Sequence, residues 1–239
     1  MRERLPLFAG LTLLALAVLI GSVAIGNGIR DRNRTDVISV TGSAKARIVS
    51  DYVVWDATIT SQARTAAAAA AQLTAWTSTV RTFFREHGVA AGELTVEPIS
   101  TETPGGVDEN GNRITGYRLT RSFEIRSSRV GATAALAERS STLLARGIPL
   151  AADPPQYVYT KLPALRPRLL AAATKDAQLR ARVLVAASGA KLGKLRGVDV
   201  GVFQVSSPNS TDVSDYGVYD TTTLRKDVTA VVNVTFALS

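Results

Sequence analysis

The chain has 239 residues, 46% of them apolar and 20% charged, which is enough for one large or two small domains and excludes disordered, collagen-like and coiled-coil classes. It contains no Cys and one His, His87, so disulfide scaffolds, zinc ribbons, iron–sulfur clusters, thiol nucleophiles and multi-histidine metal sites are excluded. Lys and Arg total 28 against 20 Asp and Glu, a formal charge of +8, but the cations are isolated rather than in blocks, which argues against a nucleic-acid partner.

No charged residue occurs from Leu5 to Ile29, a segment that includes Leu14 and Ile20. As a helix rising about 1.5 Å per residue it would reach about 37 Å, more than the roughly 30 Å of a bilayer's hydrocarbon core. It reads as an uncleaved membrane anchor in preference to a signal peptide; a cleaved reading would use the small-x-small run Ser22-Val23-Ala24. Arg2 and Arg4 precede the segment and Arg30, Arg32 and Arg34 follow it, so charge alone does not choose an orientation. A leader of four residues is expected to stay in the cytoplasm, with the bulk of the chain outside it. Residues 1–36 are thus expected to form an anchor, or a signal peptide, with a short polar connector, and 37–239 an α+β domain.

Within that domain, Ile38, Val40, Ala44, Ala46 and Ile48 alternate on even positions and Val53, Trp55, Ala57 and Ile59 on odd ones, predicting two half-buried strands. Ser50-Asp51 between them predicts a hairpin turn. Leu73, Trp76, Val80 and Phe83 or Phe84 recur at helical steps, predicting a helix from Thr65 to His87 with Gly88 as its C-terminal glycine. Glu93–Thr103 and Ile114–Arg126 then flank the turn signals Pro104-Gly105-Gly106 and Asn110-Gly111. Tyr117, Leu119, Phe123 and Ile125 alternate with polar residues in the second of these strands.

A second helix is predicted over Arg129–Arg146, capped by Ser127 or Ser128 and stopped by Gly147. An extended piece, Gln156–Lys161, follows Pro154-Pro155. A third helix runs from near Ala164 to Gly189, with Pro167 in its first turn and Leu165, Leu169, Ala172, Leu179, Val183 and Ala186 as its apolar stripe. Strands Leu195–Val205 and Asp227–Leu238 enclose a polar loop, Ser206–Thr223. The order predicts a mainly antiparallel sheet with helices packed on one side. Its recurring strand-strand-helix unit hints at an internal ββα duplication, without a residue repeat to match.

Candidate chemistry is sparse. His87 complements a helix C-terminus, and no motif supplies it with a catalytic partner. Gly189 to Leu195 resembles a phosphate loop only superficially: the spacing is short, Leu195 stands where Ser or Thr would hold magnesium, and the segment follows a helix instead of preceding one. Asp176 falls on the apolar stripe of the third helix, where it is a buried functional carboxylate or, the favoured reading, marks the stripe's edge or pairs with Arg180 four residues on. Asp108 and Glu109 in one loop, and Asp212, Asp215 and Asp220 in another, do not have calcium-loop spacing. Trp55 and Trp76 read as core. Tyr216 and Tyr219 stand in the long polar loop, where an aromatic ring needs something to pack on, and a partner subunit is one candidate.

The chain resembles the SIMPL-domain family of bacterial envelope proteins, specifically its Trp-containing subset. The carriers are Val40-Thr41-Gly42, Ser50-Asp51 with Val54-Trp55, the Phe84 to Gly88 helix end with Glu93-Leu94, Tyr117, and Arg126-Ser127. They continue through Gly147-Ile148, Tyr157-Val158-Tyr159-Thr160 with Leu162, Ala173-Thr174-Lys175-Asp176-Ala177 and Ser188 to Gly193. Many members have Pro-Asp where this chain has Ser50-Asp51. The resemblance implies an α+β fold, an envelope location with an N-terminal signal or anchor, self-assembly into hollow ring-like oligomers in some members, and a loose link to stress. It implies no catalytic residues.

Catalytic, cofactor and metal sites are therefore expected to be absent. The leading expectation is a single-pass, membrane-anchored, non-enzymatic scaffold, its C-terminal domain extracytoplasmic, assembling with itself through strand edges and the Tyr216 and Tyr219 loop. The alternatives are a secreted or periplasmic form released by cleavage, an extracytoplasmic module binding an anionic glycan or lipid headgroup, and, last, an enzyme using Asp51, Asp56 or Asp176.

Overall fold

The computed structural model describes residues 36–103, 116–210, 214 and 216–239. The expected anchor with Leu5, Leu14, Ile20 and Ile29 lies outside these residues, as do Asp108, Glu109, Asp212 and Asp215. Among the described residues no helix is long and apolar enough to cross a membrane.

The architecture is α+β, with antiparallel strands. Strands are β1 (Val37–Val49), β2 (Tyr52–Ala63), β3 (Leu94–Val96), β4 (Ser100–Glu102), β5 (Tyr117–Ser127), β6 (Leu150–Ala152), β7 (Gln156–Val158), β8 (Leu192–Val200), β9 (Gln204–Ser206) and β10 (Arg225–Leu238). Helices are α1 (Ala66–Glu86), α2 (Val130–Arg139), α3 (Thr142–Ala145) and α4 (Leu162–Ser188). The expected single sheet is two: one ordered β1-β10-β8 with β9 on β10, the other ordered β3-β5-β2-β6 with β4 on β5 and β7 on β2.

The described residues divide into two compact units. One comprises those up to Ser43, Ala171–Gly201 and Val231–Ser239; the other comprises Ala44–Leu170 and Val202–Ala230.

In the larger unit β2 and β5 pair in register from Val53 with Ser127 to Ala63 with Tyr117. Their alternation turns Trp55, Ala57, Ile59, Leu119, Phe123 and Ile125 to one face, where α1 lays Ala69, Leu73, Val80, Phe83 and Phe84. Phe84 meets Trp55 and Phe123 edge-on, at centroid distances of 5.6 and 5.8 Å. Such crossed aromatic pairs favour one packing arrangement over a loose apolar cluster. Thr65 caps α1 by accepting from the Ala68 amide, as a side-chain oxygen at that position should.

Three local expectations change. Ser50-Asp51 is not a hairpin turn: the Ser50 amide donates to the Leu224 carbonyl and the Asp51 amide to that of Val158, so β1 and β2 enter different sheets at this corner. The expected second helix is broken into α2 and α3, where the Ser140 and Ser141 hydroxyls donate to the carbonyls of Ala137 and Glu138. Short hydroxyl side chains that compete for backbone partners end helices in this way.

The third change lies in the smaller unit. The buried stripe of α4 there is Ala173, Ala177, Ala181 and Val185, while the expected Leu179 and Val183 are 61% and 63% exposed. A Cβ placed on Gly42 of β1 would stand 2.2 Å from the Ala173 carbonyl oxygen, so strand and helix meet backbone to backbone and only small side chains fit the seam.

Candidate functional site

The segment joining β9 to β10 carries Tyr216 and Tyr219, and buried charges fix its ends. Asp227, 1% exposed, accepts from Arg47 Nε at 3.0 Å and Lys45 Nζ at 3.2 Å, both on β1. It also accepts from the Asn209 amide at 3.3 Å. Arg47's hydrogen bond, with help from Lys45 and Asn209, outweighs desolvation and holds the Asp227 carboxyl well below the usual carboxylate range.

Next to it, Lys226 is fully buried and donates to the Thr223 carbonyl and, at 3.5 Å, to Asp220. Burial lowers the Lys226 pKa against the pull of Asp220. Burial acts to raise Asp220, but donations from the Thr223 and Thr222 hydroxyls, the Thr222 amide and Lys226 leave it at about 2. Asp220 is one of the loop carboxylates the sequence singles out, whereas Lys226 and Asp227 carry no such motif. A signal exists for Lys226, which shares the even parity of the buried Val228, Ala230 and Val232 and so falls on the strand's apolar face.

Between these ends, the Gln204 side chain donates to the Ser214 carbonyl at 2.6 Å and accepts from the Val218 amide at 2.8 Å. Gly217 closes the turn at φ 86, a left-handed conformation that suits glycine, and its amide donates to Ser214 O. The turn displays Tyr216 at 98% exposure. Tyr219 is different: it is 44% exposed, and its hydroxyl accepts from the Tyr159 amide at 3.2 Å, which makes it partly an internal tie.

The other candidate residues do not converge. His87 brings Nδ1 within 2.8 Å of the Phe83 carbonyl, at the end of its own helix. Asp51 accepts from the Thr160 amide and hydroxyl at 2.7 and 2.9 Å and faces Lys161; burial opposes these contacts, which together lower its pKa. Asp56 is raised by burial and by the neighbouring Glu124 and Asp153. Asp176 accepts from the Ser43 amide and pairs with Arg180 at 2.9 Å, as its i,i+4 spacing suggests. Trp55 is core, its Nε1 donating to the Asp153 carbonyl, and Trp76 packs half-buried against the same cluster. Gly189, at φ 73, ends α4 ahead of β8, so the phosphate-loop look-alike is a helix stop.

A separate cluster forms around Glu93, which accepts from Arg129 and, at 2.6 Å, from Ser127 Oγ, and these bonds hold its pKa down at about 2. Among the described residues no group of three or more His, Asp or Glu converges as metal ligands.

A family model described as SIMPL, protein of unknown function (DUF541), matches residues 38–236. Comparison with curated proteins finds no match.

Proposed function

The chain belongs to the SIMPL family, a family of unknown function, and we propose that it acts as a membrane-anchored, non-enzymatic envelope protein with a scaffold or stress-related role that assembles with copies of itself. The observation that carries self-assembly is Tyr216: a whole aromatic ring held in water by a turn that Gln204 and Gly217 pin in place. A tyrosine carried on backbone that is already fixed brings a large amphipathic surface with two side-chain torsions to order when a partner covers it, which is why such rings dominate interfaces. Tyr219 lies at the edge of the same surface.

The charge-free run Leu5–Ile29 supports anchoring, with the folded part extracytoplasmic. The non-enzymatic reading is supported by the lack of any thiol and by a single imidazole already placed against its own helix end.

Native mass spectrometry of the full-length protein in mild detergent, with N-terminal sequencing of the same sample, tests both parts. A defined oligomer of the 25.3 kDa chain that retains Arg2 is expected. Tyr216→Ser should lower its mass while leaving the melting temperature within the range of a neutral surface change. A monomer at every concentration overturns assembly, and a mature start beyond Ser22 overturns anchoring.

A further inference from the structure

Among the described residues, part of one face of the smaller unit is left uncovered. The register of β8 on β10 sets Leu195 opposite Phe236, Val198 opposite Val234 and Val200 opposite Val232. Residues directly opposite in an antiparallel pair share a face. Phe236, Val234 and Val232 are buried, yet Leu195, Val198 and Val200 on that same face are 54%, 45% and 50% exposed. Among the described residues β8 is also the last strand in its sheet, with one edge unpaired. An apolar strip of this kind marks a surface that meets something other than water.

Cations border the strip. Arg196 is the extra residue of a bulge, since Gly197 pairs with Thr235 and Leu195 with the next residue, Phe236. Lys194 precedes Leu195, and Lys191 comes just before the strand; all three are exposed. Among the described residues, none of these three has a carboxylate within salt-bridge distance.

The position of this cluster relative to the N-terminal segment names its occupant. The Leu238 amide donates to the Asp36 carbonyl at 2.8 Å, and Lys191 and Ser239 exchange backbone hydrogen bonds at 2.8 and 3.0 Å. Asp36, Val37, Ala190, Leu238 and Ser239 line one open cleft. The start of β1 and Lys191 therefore stand at the same end of the unit. Residues 30–36 can extend over at most about 25 Å, so the end that carries Lys191 is tethered within that reach of the apolar run ending at Ile29.

We propose that Lys191, Lys194 and Arg196, with Leu195 and Val198 between and beside them, rest on an anionic phospholipid surface. This rests on the anchored reading, because the anchor is what delivers the surface to that end of the unit. Apolar side chains enter the headgroup boundary while lysine and arginine meet the phosphates, an arrangement whose cationic part weakens with salt.

The absence of cysteine makes the test clean. Full-length Val198→Cys carries an environment-sensitive fluorophore in vesicles of phosphatidylcholine, with or without phosphatidylglycerol, and Ser78→Cys on the exposed side of α1 serves as reference. The expected result is a blue-shifted, quencher-protected label at position 198 only with the anionic lipid. The shift should disappear in high salt and in the variant combining Lys191→Gln, Lys194→Gln and Arg196→Gln. A label at 198 as wet as that at 78, in protein that resists alkaline extraction, overturns lipid docking and leaves anchoring standing. Release by alkaline extraction overturns the anchor, and the docking with it. A shift that occurs equally in neutral lipid and detergent and grows with protein concentration assigns the strip to a second copy and overturns the lipid assignment.

Discussion

Gly42 lies against Ala173 with no room for a side chain between them: a methyl group on Gly42 would come within 2.2 Å of the Ala173 carbonyl oxygen and 2.5 Å of the Ala177 amide nitrogen. Both obstacles are backbone, so neither can rotate away. Gly42→Ala should cost about 3 kcal/mol or abolish folding, as overpacking against an unyielding neighbour does. Gly131 in α2 has nothing within 4 Å of its Cβ position, and Gly131→Ala should stabilise by about 0.5–1 kcal/mol through helix propensity. Urea unfolding of the two variants in mild detergent checks the contrast in sign.

Removing either partner of the Lys226 and Asp220 pair should have unequal effects. Without Lys226, Asp220 keeps Thr222 and Thr223 as donors, so Lys226→Met should change stability by less than about 1.5 kcal/mol. Without Asp220, Lys226 is a buried ammonium whose remaining partner among the described residues is the Thr223 carbonyl, and Asp220→Ala should cost about 3 kcal/mol. Denaturant midpoints measured on both would reverse the argument if the lysine variant proved the weaker.

Acid sensitivity follows from the same carboxylates. Glu93 and Asp220 each titrate at about 2 in the folded protein, and Asp227 is also depressed. A depressed folded pKa adds stability above the unfolded value, near 4, and that contribution is lost as pH falls through the folded value. The melting temperature should therefore hold from pH 7 to about 5 and decline steeply between about 4.5 and 2. Glu93→Gln combined with Asp220→Asn should start lower at pH 7 and decline less. Thermal melts at a series of pH values provide the check, and parallel curves for the two proteins would refute the assignment.

Trp55 and Trp76 should be separable by light. Trp55 is fully buried and bonded to Asp153, whereas Trp76 is half-buried. Trp55→Phe should move the emission maximum to longer wavelength and cost about 2 kcal/mol through lost packing and a lost hydrogen bond. An emission maximum that does not move would contradict this placement.

Much of the fold was written in local periodicity. The alternation of Leu119, Phe123 and Ile125 and that of Val228 to Phe236 each show which face is buried, and Thr65 and His87 bound α1 because caps are chosen by chemistry within a few residues. What stayed hidden depends on partners far along the chain. Ser50-Asp51 has the composition of a tight turn, and only Leu224 and Val158 make it a corner between sheets. The alanine stripe of α4 looks less apolar than Leu179 and Val183, and only the approach of Gly42 explains why small residues hold the seam. In the candidate surface Tyr216 could be read from its polar setting, but the pinning by Gln204 could not, because side-chain hydrogen bonds across a loop leave no period in the sequence.

The bond between the Ser39 and Thr235 hydroxyls, 2.8 Å long, joins residues 196 apart in the chain. β1 is among the first parts of this domain to leave the ribosome, and β10 is the strand it pairs with. At roughly 5–20 residues per second, about 10–40 s pass before that strand exists. For that interval β1, an alternating strand with Val40 and Ile48 on its buried side, lacks the partner that covers it, and an intermediate without β10 is the form most exposed to aggregation.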